Sequence, residues 1–442
     1  MSVKKILVVN LNEFNYNYLK YGCKKYNLKH LKKFLHLKKI STFTKDKIQN
    51  KDLDPWVQSV SINTGKISKK HKIFKLGQKI NSDLKFIWDI LAKRNVDCYV
   101  WGPINAKFKN NKNIKLFFPD PWNYESKTYP PSLENLHKLP RYYAKNYLEI
   151  KISKLIQYLF IFFIAFIKKN EILFFVKNFF LIFRSLIKKG IKNYILFFLF
   201  DLISLDIFKK KAQSNKNCFS YIFLNSLAHF QHNNWNNLND EKYYFIFVDQ
   251  IIKYIFEIYS SYNSLFIFNG FTQNRISNEY LIRPINPKKF LEKLISFKNL
   301  EQDMTNGGYI FFKNKMFTNR AFKIIKNYKV CGINIFEVLQ KKEASFFYRI
   351  KIKSKQNLKD VNYKNFNSKL LSKNIISENN RNILKIKFNQ NELSNFLNDI
   401  KFIKTTGIHS SNGEILYKNI KKIENIKSIE NHKIFNIFKS YF

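Results

Sequence analysis

The sequence is poor in the residues that punctuate and cross-link a chain. Its 442 residues include only 11 Gly, 9 Pro, 4 Cys and 3 Met. Cys23, Cys98, Cys218 and Cys331 are far apart with no Cys-x-x-Cys pair, which argues against a disulfide framework or a thiolate zinc site and predicts reduced thiols. Acidic residues are also scarce: 31 Asp and Glu face 78 Lys and Arg, a formal charge of +47. Such a surplus ordinarily points to nucleic acid or an anionic membrane. Arginine accounts for only eight of the 78, however, and the lysines are spread evenly among Asn, Ile and Phe, as a nucleotide-composition bias would leave them. With no zinc-finger spacing, RNA-binding aromatic signature or arginine stripe, nucleic acid is not the expected partner. The N-terminal run Ile6-Leu7-Val8-Val9 is cut by Asn10, Asn12 and Glu13, too soon for a signal sequence, so the expected location is cytoplasmic.

What is present is apolar bulk. Hydrophobic residues make up 45% of the chain and aromatics 17%, enough to offset chain entropy and exclude wholesale disorder. The length exceeds one compact core and predicts a large α/β domain with insertions, or two domains. Seven prolines fall between Pro55 and Pro140 and none between Pro140 and Pro284, so the middle reads as helical. Within it, residues 151–215 alternate Lys pairs with apolar stretches, as basic amphipathic helices do. The 13-residue run Leu155 to Ile167 ends at Lys168-Lys169, short of the roughly 20 residues a membrane span needs. Helices packed on the domain or resting on an anionic leaflet both fit, and the second would place the protein peripherally at the inner membrane.

Short apolar runs at Ile6–Leu11, Cys98–Trp101, Tyr221–Leu224 and Leu265–Phe268, separated by helical stretches, predict strands buried on both faces of a mostly parallel sheet. The expected fold is a three-layer α/β/α sandwich with a helical insertion. Its core would be split between 1–150 and 216–285, the insertion would occupy 151–215, a mixed α/β cap 286–400, and a closing turn, strand and tail 401–442. Ligands bind beyond the carboxyl ends of such strands, which draws attention to Asn12, Glu13, Asn105, Asn225 to His232 and Asn269 to Gln273. Asp54 and Pro55 read as the start of a helix that Gly65 closes, with its N-terminus available to an anion.

These residues resemble motifs of the alkaline phosphatase superfamily, in its nucleotide pyrophosphatase/phosphodiesterase and sulfatase-like branch. Asp54 to Gly65, followed by His71, looks like the nucleophile helix. Asn12-Glu13 resembles the opening metal turn, Asn225 to His232 the second, and Gly407-Ile408-His409 to Gly413 the late His-to-Gly turn. The likeness is nearest to a bacterial subgroup and extends to Trp88-Asp89, Trp101 to Ala106 and Pro119 to Trp122. It implies the superfamily fold and ester hydrolysis or transfer at phosphorus or sulfur, by a Ser or Thr between two zinc ions or by a modified residue with another metal. The sequence departs from that pattern. Where the relatives carry the nucleophile, ten residues before Gly65, stands Pro55. One metal site would need Asn12, Pro55, Asn269 and Gly270, none of which offers a carboxylate or imidazole, and the other would need an acid at Ala228 besides His232 and His409.

The expected residual site is one divalent ion, zinc, on three imidazoles: His229 and His232, three apart on a helical turn, and His409. Glu13 is the candidate general acid/base. Asp54 is a candidate nucleophile or a helix cap, and Gln58 stands where the family places an Asn that hydrogen-bonds the phosphoryl oxygen. Substrate-binding candidates are Asn12, Trp56, Asn105, Asn225 and Gln273. Trp56, Trp101, Trp122 and Trp235 suit stacking on a sugar or base, or packing in a core. The expected function is a metal-dependent phosphoric diester or sulfuric ester hydrolase or transferase acting on an anionic small molecule or a surface-glycan or lipid-linked substrate. The alternative is a degenerate relative that binds an anionic ligand or glycan precursor without turnover.

Overall fold

The structure is a computed structural model that describes residues 3–46, 53–146, 150–167, 172–190, 192–302, 307–330, 333–339, 341–350 and 390–442. Two compact units emerge: Met1–Ile276 with Thr406–Phe442, and Ser277–Thr405.

The first unit is built on an eight-stranded sheet. Its first six strands in chain order are β1 (Lys5–Leu11), β2 (Lys38–Phe43), β3 (Asp97–Trp101), β4 (Ile114–Phe118), β5 (Cys218–Leu224) and β6 (Ser264–Phe268). In space the order is Ser428–Glu430, β2, Asn412–Lys418, β6, β1, β5, β3, β4. Only Asn412–Lys418 runs against its neighbours. β1 lies at the centre, with Val8 opposite Tyr221 on one side and Phe266 on the other. Central β-branched and aromatic runs of this kind are covered on both faces, and successive β1 side chains confirm it. Leu7, Val9 and Leu11 enter one cluster, under the helices Tyr16–Tyr26, Asn193–Lys211 and Leu238–Tyr259. Ile6 and Val8 enter another, under the helices Pro55–Thr64, Ile87–Ala92 and Ile434–Tyr441. The molecule therefore has the three-layer α/β/α core expected from the strand pattern.

The insertion forms three helices, Ile152–Ile167, Ile172–Lys189 and Asn193–Lys211. No helix among the described residues is long and apolar enough to cross a membrane. Cys23, Cys98 and Cys218 are free thiols, while Cys331 lies outside the described residues. The second unit holds an antiparallel sheet in the order Phe336–Leu339, Ser345–Ile350, Gly307–Phe311, Asn299–Gln302, with the helix Lys315–Asn327. Ile310, Phe336, Phe346 and Tyr348 give it a core of its own.

Candidate metal centre

The carboxyl end of β1 turns sharply. Glu13 takes a left-handed backbone at φ 55°, unusual for a residue with a Cβ and costing roughly 1 kcal/mol. Its N–H donates to the Asn269 carbonyl at 3.3 Å, and its own carbonyl accepts from Gln231 Nε2 at 2.8 Å. The turn buries the carboxylate to 1% exposure. Oε1 accepts from Asn12 Nδ2 at 2.9 Å and Oε2 from Gln273 Nε2. Two imidazoles meet the same Oε2: His232 Nε2 at 3.0 Å and His409 Nε2 at 3.2 Å, with 3.4 Å between the two nitrogens.

His232 is delivered by the helix Ser226–Asn234, which follows β5, and His409 by the end of the strand Ile400–Ser410. His409 Nδ1 lies 3.0 Å from the Leu53 carbonyl oxygen, an acceptor only, so Nδ1 carries the proton and Nε2 of the neutral ring presents a lone pair. Three electron-rich atoms therefore converge on one point, and either protons or a cation must lie among them.

Burial alone would raise the Glu13 carboxyl, but the charges and hydrogen bonds of His409 and His232 outweigh it and hold the group well below the ordinary carboxylate range. Burial likewise opposes charging of His409, but Glu13, by charge and hydrogen bond, then Asp54 and the Leu53 carbonyl, raise it. The spacing fits a metal. Bonds of 2.0–2.1 Å in tetrahedral geometry put ligand atoms about 3.3–3.4 Å apart, within a few tenths of an ångström of all three separations here. Among the described residues this is the one such trio. A carboxylate with two imidazoles is also a known catalytic zinc donor set.

His229, expected as the third imidazole, is directed elsewhere. Its ring stacks on Phe197 with centroids 3.6 Å apart, and Nε2 faces Asn225 Nδ2 at 3.3 Å. Burial pushes its pKa down to about 4, so it stays neutral. Asn225 passes the contact on, since its Oδ1 accepts from Asn12 Nδ2 at 2.7 Å and that same amide holds Glu13. His229 thus sits at the end of an amide relay to the trio, and Glu13 stands where a third imidazole was expected.

The remaining candidates divide between the site rim and internal bracing. Asp54 occupies the N-cap position of Pro55–Thr64 but its side chain makes no cap hydrogen bond; Oδ1 lies 4.0 Å from His409 Nδ1. Pro55 brings no N–H, and those of Val57 and Gln58 both donate to the Asp54 carbonyl at 3.0 Å, so this helix end offers an anion fewer donors than expected. Gln58 is buried, with Nε2 donating to Asp46 Oδ2 at 2.8 Å and Oε1 accepting from Asn431 Nδ2 at 2.9 Å. Trp56 Nε1 donates to the Phe74 carbonyl at 3.0 Å. Asn105 clamps a loop, donating to the Lys75 carbonyl and accepting from Gly77 N. Trp101 stacks on Phe118 and Trp235 is buried in the core. Of the expected substrate contacts, Asn12, Asn225 and Gln273 gather at the trio; Trp56 and Asn105 are occupied with bonds to residues 74–77.

Several supporting groups other than Gln231 carry no motif signal in the sequence. Gln231 accepts from Asn15 N at 3.1 Å while its amide holds Glu13, and Thr406 ties the Gln231 carbonyl at 2.8 Å to the Trp235 N–H at 3.0 Å. Gln231 lies within the Asn225 to His232 turn, between the two histidines, where its place in the sequence marks it. Asp201 accepts the N–H groups of Asn225 and Ser226 at 3.0 and 2.8 Å and so caps the helix that carries His232.

No protein-family model and no curated protein matches the chain. Among solved structures it is similar to alkaline phosphatase from the Antarctic bacterium TAB5, at 9% identity and TM-score 0.41, covering 100% of this chain and 98% of that one. It is similar to murine ectonucleotide pyrophosphatase/phosphodiesterase 5, at 8% identity and TM-score 0.47, covering 99% and 94%. Phosphonoacetate hydrolase from Sinorhizobium meliloti 1021, solved with phosphonoformate, is similar at 8% identity and TM-score 0.42, covering 100% and 96%.

Proposed function

We propose that this chain holds one divalent ion, zinc by its donor set, between Glu13, His232 and His409, and acts on an anionic phosphoric diester or sulfuric ester as a hydrolase or transferase. The supporting observation is the convergence of three donor atoms at tetrahedral spacing on one point. The arrangement is lopsided: the Glu13 side chain is 1% exposed, against 19% for His409 and 32% for His232. One flank is thus sealed by the Asn12 and Gln273 amides and the other opens outward for a ligand. When bound, such an ion supplies Lewis-acid polarisation of an ester oxygen and activation of water. The chain's own residues supply the rest. Glu13 contributes the only negative charge of the trio, leaving the loaded trio cationic and suited to an anion, with the Asp54 carboxylate 4.0 Å from His409 Nδ1 beside it. The Leu53 carbonyl fixes the His409 tautomer, and the Asn12–Asn225–His229 relay fixes the carboxylate. Pro55 brings no nucleophile, so the attacking oxygen comes from water, an acceptor hydroxyl or that Asp54 carboxylate. A lipid-linked or surface-glycan ester is the substrate class that the apolar insertion helices would suit.

A second reading, a pocket that binds an anionic ligand without turnover, is favoured by the internal engagement of Gln58 and Asn12. Metal analysis together with hydrolysis of bis-p-nitrophenyl phosphate and p-nitrophenyl sulfate separates the two. Turnover that disappears in Glu13→Gln and His232→Ala supports the enzyme; no turnover of either ester, with or without bound metal, leaves the binding reading, and absence of metal defeats the metal centre itself.

A further inference from the structure

The insertion between β4 and β5 turns apolar side chains outward. In the helix Ile152–Ile167, Ile152, Ile156, Leu159, Phe160 and Phe163 follow one another at spacings of three, four and one, which gathers them on one face. They are 73, 61, 47, 65 and 53% exposed, while Ala165 and Phe166 near the helix end enter the core. The helix Ile172–Lys189 packs Leu181, Ile182 and Leu186 partly against the core and turns other apolar side chains outward. Its buried positions include Asn178, held by Tyr254 and Gln250, and Ser185, whereas Phe180 and Ile187 are 83 and 66% exposed. Contiguous exposed apolar area of this kind marks an interaction site.

Charge identifies the occupant. From Lys151 to Lys192 the chain carries nine Lys and Arg and a single acid, Glu171; Lys189 and Lys192 pair with Asp240, so the surplus rests on the other seven. A second copy meeting this face would set like charges against each other, which disfavours a symmetric dimer. An anionic leaflet attracts them and accepts the aromatic side chains among its acyl groups. Length sets the mode: 16 residues make a helix of about 24 Å, below the roughly 30 Å of a hydrocarbon core, so the helix lies on the bilayer without crossing it.

We propose that Ile152–Ile167 and Ile172–Lys189 dock this protein in the interfacial plane of an anionic lipid bilayer. The proposal is independent of the metal site. Its test is co-sedimentation of the full chain with vesicles of phosphatidylcholine alone and vesicles in which roughly a third is phosphatidylglycerol, at low and high salt. Two variants accompany it, Ile156→Ser/Phe160→Ser/Phe163→Ser and Lys151→Glu/Lys154→Glu, with circular dichroism and sedimentation velocity to verify fold and oligomeric state. The expected result is binding to anionic vesicles at least about tenfold stronger than to neutral ones, weakened by salt and reduced roughly tenfold or more by the serine variant. The glutamate variant should reduce anionic binding alone. Equal sedimentation of wild-type and serine variant, indifference to lipid charge, or a wild-type dimer that the serine variant disperses would each overturn it. Metal content measured on the same samples reports separately on the site.

Discussion

At the scale of single residues, Glu13 and His409 define the electrostatics of the centre. In the metal-free chain the carboxyl is held well below its ordinary value of 4.5 and the imidazole above its ordinary 6.5, in each case against burial. A lowered carboxyl contributes stability above its ordinary pKa, and that contribution disappears as pH falls through the folded value. A raised imidazole contributes fully below its ordinary pKa, and that contribution disappears as pH rises through the folded value. Both are therefore present together between 4.5 and 6.5. His409→Ala should destabilise metal-free protein more at about pH 5.5 than at about pH 8.5 in urea unfolding. Equal losses at the two pH values would show that no such pair forms. His229 teaches a related lesson. Its spacing from His232 was legible, but the ring's direction was not, because Phe197, in a different helix, provides the stacking surface. Three positions along a helix place two side chains on adjoining faces, and tertiary neighbours decide whether they share a ligand.

At the scale of elements, the strands and the helix Pro55–Thr64 were legible because the signals are local. β1, β5 and β6 are apolar runs closed by polar residues, β3 is closed by Gly102-Pro103, and Gly65 ends its helix at φ 68° as a left-handed C-cap does. The cap of Ser226–Asn234 was not legible, since its acceptor, Asp201, comes from the insertion helix Asn193–Lys211, more than twenty residues earlier. Burial lifts the Asp201 pKa to about 7, with the Ser226 and Asn225 bonds pulling the other way. Removing it as Asp201→Ala should cost about 1–2 kcal/mol and weaken metal binding by shifting His232, as read by denaturation and metal titration. Asp201→Asn, which keeps one acceptor oxygen, should lose less. A variant as stable as wild type with full affinity would remove the cap from the account.

At the scale of the whole molecule, the charge of +47 had suggested nucleic acid or membrane, and composition alone could not place it on a surface. In the sequence one stretch of it, Lys151 to Lys192, is interleaved with the apolar residues of the insertion that face outward. The trio, in turn, spans almost the entire first unit, from Glu13 to His409, and the chain between them includes the second unit with its separate core. Such a centre forms only when the first unit folds, so its affinity reports on the assembled architecture. The most direct measurement is calorimetric titration of zinc into the metal-free full chain and its His229→Ala, His232→Ala and His409→Ala variants. The account predicts one ion per chain, with binding abolished in His232→Ala and His409→Ala and retained, somewhat weakened, in His229→Ala. No binding by wild type, or binding that survives loss of His232 and His409, would contradict it.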